Sequence, residues 1–301
     1  QMCIRDRNAM FGSISGSGIA AATAIGGVML PLEKEQKYDE GFAAAVNIAT
    51  APVGQLIPPT TAFIVFSAAG GGASVAALFM GGWIPGLLWA ACCMVVAFFY
   101  ARKQGYVIKR DKLTAKIVGK TIWDAIPSLF LVVIIIGGIL SGKFTPTEAS
   151  GVAVAYAFIL SVFIYRTIKL SEIPKLLVDA AVMTTIVMLI IGASSVLSFV
   201  MSFTGLPAAI SKLVLGISSN KYVILLILNI FLLIVGTFMD MAPALLIFTP
   251  IFLPIVQSFG MSPIHFGVMM VMNLSVGTIT PPVGNVLFVG CSVAKLRVEQ
   301  V

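Results

Sequence analysis

Gly277-Thr278-Ile279-Thr280-Pro281-Pro282 lies inside the apolar stretch His265 to Ala294, and its two prolines forbid a straight helix there. A proline removes a backbone donor and collides with the preceding turn, so carbonyl groups are set free. In lipid, such a break is tolerated only where it is buried in protein or lines a cavity. The same pattern recurs as Gly54-Gln55-Leu56-Ile57-Pro58-Pro59 inside the apolar stretch Gly41 to Ala69. One offset, 223 residues, superimposes the two motifs without a gap; it also sets Pro31 on Pro254 and Ser17 on Asp240.

The composition fits a chain whose solvent is lipid. Of 301 residues, 59% are hydrophobic and 10% charged, against about 45–50% apolar and about 25% charged in a soluble domain. So few charges cannot cover a water-soluble particle. The formal charge of +7 comes from basic clusters between apolar runs. That is the layout of cytoplasmic loops rather than of a nucleic-acid surface, so no nucleic-acid partner is expected. Cys3, Cys92, Cys93 and Cys291 form no CxxC pair or Cys/His cluster, and indicate neither a disulfide framework nor a zinc site.

Plain membrane spans are expected at Val75 to Tyr100, Ile126 to Leu140, Ala149 to Tyr165 and Ala180 to Phe203. The run Tyr222 to Val256 is too long for one span and is interrupted at Gly236-Thr237-Phe238-Met239-Asp240. Two half-length legs meeting at a tip, a re-entrant hairpin, is the favoured reading; two spans joined by a tight turn is the alternative. The offset makes Gly12 to Ser17 the counterpart tip, whose opening leg belongs before Asn8. Charged Arg5, Asp6 and Arg7 stand there instead, so residues 1–7 read as a non-native prefix and the chain as truncated at both ends.

Charge distribution orients the spans. With the loop Arg102 to Lys120 and the cluster Arg166, Lys169 and Lys175 in the cytoplasm, 14 of the 17 basic residues outside the prefix lie on that side. The first hairpin then opens to the cytoplasm and the second to the outside. The expected fold is therefore an all-α polytopic membrane protein, an inverted repeat with two re-entrant helical hairpins and two broken transmembrane helices, the sequence pattern of a secondary transporter. Its parts are residues 8–69, the partial first hairpin and its broken helix; 70–220, scaffold and connecting helices; 221–294, the second hairpin and its broken helix; and 295–301, a tail. Lys169 to Val178 and Pro207 to Ile217 alternate apolar and polar residues at helical spacing and read as interfacial connectors.

At each tip the second leg points its unpaired N–H groups and positive dipole end toward the membrane centre. Two such ends, near Ser17 and Asp240, suit an anionic group, most simply a carboxylate. Carbonyls freed at Gly54 to Pro59 and Gly277 to Val283 are hard oxygen donors for a small cation such as Na⁺. Asp240 is the one charged residue deep in an apolar run, either as a helix cap or as a direct ligand. Glu148, in Thr145-Pro146-Thr147-Glu148, reads as half of a capping box. His265 reads as an interfacial hydrogen-bonding group, and Trp83, Trp89 and Trp123 as belt or packing residues. Glycine-rich Gly12 to Gly18 lacks the Lys-Ser/Thr ending of a phosphate loop.

At these motifs the chain resembles the large membrane subunit, DctM-like, of tripartite ATP-independent periplasmic (TRAP) transporters. The matching stretches are Phe11 to Ser17, Gly54 to Pro59, Phe144 to Ala149, Phe238 to Asp240 with Leu246 to Pro254, and Pro263 to Gly267 through Asn273 to Pro282. The resemblance implies an elevator-type Na⁺ symporter of the bacterial or archaeal cytoplasmic membrane, the inner membrane in Gram-negative cells. It implies a small TRAP membrane subunit and a periplasmic substrate-binding protein as partners, and a small organic acid as substrate. It further implies one Na⁺ site at Gly12, Ser15, Gly54, Ile57 and Pro59, another at Gly236, Met239, Gly277, Thr280 and Val283, and substrate contact at Ser17 and Asp240. The resemblance implies Na⁺ as the coupling ion and no organic cofactor. The competing expectation is a stand-alone Na⁺/carboxylate symporter of related hairpin architecture; an enzyme is not expected.

Overall fold

The computed structural model describes residues 16–35, 38–70, 72–104, 115–205, 209, 216 and 220–301, and among these every regular element is helical. Two compact units are formed, residues 1–105 with 191–301, and residues 106–190. Four helical segments, Val75–Lys103, Pro146–Ile164, Lys221–Phe238 and Met241–Ser258, are long and apolar enough to cross a membrane. The chain is a multi-pass membrane protein.

In the first unit, α1 (Gly18–Glu35) leads to α2 (Glu40–Thr50), which tightens at Pro52 into a 3-10 turn over Ala51–Gln55. The backbone stays non-helical to Thr60, whose hydroxyl caps α3 (Thr61–Ala69), and α4 (Val75–Lys103) follows. Later come α8 (Lys221–Phe238), α9 (Met241–Ser258), α10 (Pro263–Gly277) and α11 (Asn285–Ala294). The second break, Thr278 to Gly284, separates α10 from α11 as Ala51 to Thr60 separates α2 from α3. The Pro58-Pro59 and Pro281-Pro282 peptide bonds are both cis.

Helix boundaries repeat at the sequence offset. Gly18 and Met241 open α1 and α9, Glu35 and Ser258 close them, and Glu40 and Pro263 open α2 and α10, each pair 223 residues apart. Packing repeats with them: α1 lies on α2 as α9 lies on α10, while α3 packs on α9 and α11 on α1. The half-helix after each break therefore rests on the helix that opens from the other tip.

The 35-residue run resolves into two legs of 18 residues each, about 27 Å at 1.5 Å per residue. Each leg takes about half of the run, with Asn220 capping α8 just before it begins and α9 continuing two residues past it to Ser258. Phe231 of α8 packs edge-on against Phe248 and Phe252 of α9, each at 5.4 Å between ring centroids. Along α8, Ile224, Leu228 and Leu232 are buried, while Leu226, Ile230 and Ile234 are exposed on the opposite face. That division suits one protein-facing and one lipid-facing stripe.

Helix α4, grouped by sequence with the connecting helices, packs in the first unit against α2, α3, α10 and the Ala51–Gln55 turn. Trp89 of α4 donates its indole N–H to Ala49 O at 3.1 Å. Pro52 lies three residues beyond Ala49 and has no N–H for a 3-10 bond to that carbonyl. The indole thus donates to a carbonyl at the edge of the break, a more specific task than packing.

The second unit holds α5 (Ala115–Leu140) and α6 (Pro146–Ile159), which pack together, with a wider turn over Leu160–Ile164 ending α6. Thr145 and Glu148 form the expected capping box. The next helix, α7 (Ile173–Thr204), departs from expectation because Lys169 to Val178 is not a separate connector. Pro174 is tolerated in the first turn of a helix, and no proline follows to stop it before Thr204. Most of Pro207 to Ile217 lies outside the described residues.

Candidate functional site

Three helix N-termini line one cavity of about 110 Å³ in the first unit, among them Gly16 and Ser17 before α1, Thr61 of α3, and Asp240 and Met241 at the start of α9. Gln55, from the turn before the first proline pair, completes the wall. Each terminus has its own local cause. Ser17 takes the Ala20 N–H on its hydroxyl at 3.4 Å, and its carbonyl starts the α1 ladder through Ala21 N–H. Thr60 takes the Ala62 N–H and donates its hydroxyl to Gln55 O at 2.9 Å, fixing the entry to α3 across the break.

Gly16 has φ of +62°, the left-handed region that side chains rarely enter. A Cβ there would stand 3.2 Å from Thr60 Cα and 3.3 Å from Pro59 O, so the first tip rests directly on the first break. Thr61 spans the same junction, donating its hydroxyl to Gly16 O at 3.4 Å. The second tip behaves alike. A Cβ on Gly277 would lie 2.5 Å from Gly236 Cα, and Gly284 donates its N–H to Thr237 O at 3.0 Å.

Asp240 occupies the N-cap position of α9 with extended backbone, yet its side chain takes no capping hydrogen bond. Its carboxylate instead accepts from the Asn285 side-chain amide, at the start of α11. Three helix N-termini therefore line this small volume, and the Asn285 side chain ties the start of a fourth helix to Asp240. Their exposed N–H groups and aligned dipoles form an anion-attracting concavity.

Ser17 and Asp240 thus share one cavity. Gly236 and Gly277 touch, Met239 ends α8 with its N–H on Val235 O, and Thr280 donates its N–H to Gly277 O. Val283 adjoins Gly284, which is bound to the second tip. Gly54 and Ile57 are buried in the first break, with Pro59 beside Gly16. Gly12 and Ser15 lie outside the described residues. Thr61 and Asn285 are not among the residues the sequence singles out, and Gln55 is there only as a polar interruption of the broken stretch. Gln55 stood inside the quoted proline motif as a polar side chain between apolar neighbours, and that was its available signal. Asn285 carried none, because its partner is 45 residues away.

A larger cavity of about 460 Å³, among Phe42, Leu88, Trp89, Val96, Met272 and Val276, is walled by apolar side chains. Its lining offers carbon surface rather than donors for an anion. Glu33 of α1 is 4% exposed, and neither carboxylate oxygen has a hydrogen-bond partner. Among the described residues, no three of His, Cys, Asp and Glu gather at metal-binding distance.

Residues 7–301 match the model of the family described as the tripartite ATP-independent periplasmic transporter, DctM component. The chain is 48% identical to an uncharacterized protein, YgiK, of Salmonella typhimurium over 98% of this chain and 67% of that protein. It is 38% identical to the isethionate TRAP transporter permease protein DctMQ of Oleidesulfovibrio alaskensis, covering 96% of this chain and 46% of that one. It is 35% identical to the C4-dicarboxylate TRAP transporter large permease protein DctM of Rhodobacter capsulatus, covering 97% and 69%. The chain thus spans from under half to about two thirds of the length of these relatives.

Proposed function

This chain belongs to the DctM family of tripartite ATP-independent periplasmic transporters, and from that premise we propose that it is the permease subunit of a Na⁺-coupled importer of a small organic acid. The single observation that carries the reading is the cavity between Ser17 and Asp240, ringed by helix N-termini. A carboxylate is the simplest ligand for such a ring. Relatives named for isethionate and for C4-dicarboxylates carry the same kind of charge.

The carboxylate of Asp240 adds negative charge beside that ring and makes a coupling cation chemically sensible. A Na⁺ ion entering with the acid offsets Asp240 and lets the anion approach. Oxygen donors for it come from Gly236, Met239, Gly277, Thr280 and Val283 at the second tip and break. Gly12, Ser15, Gly54, Ile57 and Pro59 form the matching set at the first. The touching Gly236 and Gly277 backbones fit this role, since their carbonyls can approach one ion only where no Cβ intervenes.

In this reading the two tips are re-entrant, the repeats are inverted across the cytoplasmic membrane, and the cavity is carried between the two sides in an elevator-type movement. A periplasmic binding protein delivers the acid, and a small membrane subunit completes the transporter. The test is uptake by proteoliposomes containing the complete transporter. Accumulation should require both an inward Na⁺ gradient and the binding protein. Accumulation without the binding protein would favour the stand-alone symporter, and accumulation indifferent to Na⁺ would reject the coupling.

A further inference from the structure

The polar wall of the cavity contains one side chain that the protein leaves unsatisfied. Gln55 is 7% exposed, lines the cavity with Ser17, Thr61 and Asp240, and its Oε1 has no hydrogen-bond partner. A buried amide oxygen without a partner costs roughly 1–3 kcal/mol, so native chains rarely retain one idly. Space is made for it: a Cβ on Gly18 would stand 3.1 Å from Gln55 Nε2 and 3.2 Å from Cδ.

The second half of the molecule supplies a comparison. The residue 223 positions beyond Gln55 is Thr278, fully buried, whose hydroxyl donates to Ser275 O at 2.7 Å. At the same place in the motif, one half closes its polar group on itself and the other leaves an amide oxygen open in a residue of the cavity wall. The break can therefore be built with an internally satisfied residue, and Gln55 is not required by the backbone alone.

We infer that Gln55 selects the substrate, by hydrogen bonding a hydroxyl group carried by the acid, so that the preferred ligand is a small hydroxylated carboxylate. The inference rests on the anion-site reading above and adds to it the class of acid. The helix N-termini take the carboxylate, being donors only. A side-chain amide presents one acceptor and two donors, and whichever way its ends are turned it pairs with a hydroxyl, which both donates and accepts. A plain carboxylate or methylene offers nothing to Oε1. A site built to hydrogen-bond a substrate hydroxyl discriminates strongly against the analogue lacking it, because the buried group is then stranded.

The experiment is direct binding by calorimetry to the full-length permease in lipid nanodiscs, with Na⁺ present, over matched pairs of acids such as glycerate with propanoate and malate with succinate. The preferred pair should show the hydroxylated acid binding at least about tenfold tighter than its deoxy partner. Gln55→Met keeps the length and removes both hydrogen-bonding ends. It should bring that ratio to within about twofold, chiefly by weakening the hydroxylated acid, while the unfolding midpoint, measured separately, shows that the variant is folded. Persistence of the preference in Gln55→Met, absence of any preference in the wild type, or a Na⁺ affinity that shifts while the acid ratio does not, each overturns the inference and leaves the anion site standing. Failure of every acid to bind folded wild type overturns the anion-site reading and this inference with it.

Discussion

The Asn285 side-chain amide donates to the Asp240 carboxylate, tying the start of α11 to the start of α9 across 45 residues of sequence. Because Asp240 makes no capping bond of its own, its charge is held at the cavity rather than used to begin the helix. Asp240→Asn keeps an N-cap residue type of equal rank, so the melting midpoint should stay within about 2 °C of wild type. The Na⁺ concentration for half-maximal uptake should rise roughly fivefold or more, about 1 kcal/mol of lost cation attraction. Unchanged uptake and unchanged Na⁺ dependence would remove any role for the charge.

Gly277 and Gly27 separate a site glycine from a tolerant one. A Cβ at Gly277 meets the backbone of Gly236 at 2.5 Å, and backbone cannot swing aside. Gly277→Ala should cost about 1–3 kcal/mol of stability through overpacking and abolish most Na⁺-driven uptake. At Gly27, within α1, an added Cβ meets nothing within 4 Å. Gly27→Ala should leave uptake intact and raise stability by up to about 1 kcal/mol through helix propensity. Thermal unfolding and initial uptake rates of the two proteins, side by side, check both.

What could be read from the chain was whatever violated a local rule. Pro58-Pro59 and Pro281-Pro282 break helices wherever they occur, and Asp240 stands out in any apolar run. Thr145 and Glu148 form their box within four residues, so it was visible from spacing alone. The contacts that give the cavity its chemistry are long-range. Asn285 reaches Asp240, Thr61 reaches Gly16, and Trp89 reaches Ala49 across 40 residues or more. No periodicity encodes such partners. The course of α7 is hidden for the opposite reason, since its polar first turns look like a surface helix and only the absence of a later breaker carries the helix on to Thr204.

Trp89 has a measurable task. Trp89→Phe preserves most of the ring but withdraws the donor from Ala49 O, leaving the Cys93 thiol at 3.8 Å as a weak substitute. The expected loss is about 1–3 kcal/mol, the cost of a poorly satisfied buried carbonyl. Adding Cys93→Ser supplies a stronger donor at nearly the same place and should recover part of it. Equal melting points for Trp89→Phe and wild type would return Trp89 to a packing role.

The capping box tests a feature expected to be irrelevant to transport. Thr145→Ala removes the acceptor for Glu148 N–H and should cost about 1 kcal/mol of stability. Glu148→Gln retains the reciprocal bond to Thr145 N–H and should cost less. Both should leave Na⁺ dependence unchanged. A shifted Na⁺ response in Glu148→Gln would instead make this carboxylate part of the transport path.

The repeated geometry yields the most demanding prediction. In the first half, buried Asn47 of α2 donates to Ala22 O of α1 at 3.0 Å, and Gly26 makes room for its amide, since a Cβ there would collide with Asn47 Nδ2. The residues 223 positions on are Met270 and Thr249, where the Thr249 hydroxyl lies 3.6 Å from Met270 Sδ. The same junction between tip helix and broken helix is therefore filled once by glycine with asparagine and once by threonine with methionine. If the two junctions are equivalent, the second pair can be moved into the first. Gly26→Thr alone forces Asn47 out of place, and Asn47→Met alone removes a buried hydrogen bond, so each single change should destabilise by about 1–3 kcal/mol. Gly26→Thr with Asn47→Met restores a combination that the same backbone already holds, and should recover at least about 1 kcal/mol relative to additivity in a double-mutant cycle. Strict additivity in unfolding measurements would show that the junctions share sequence offset but not packing.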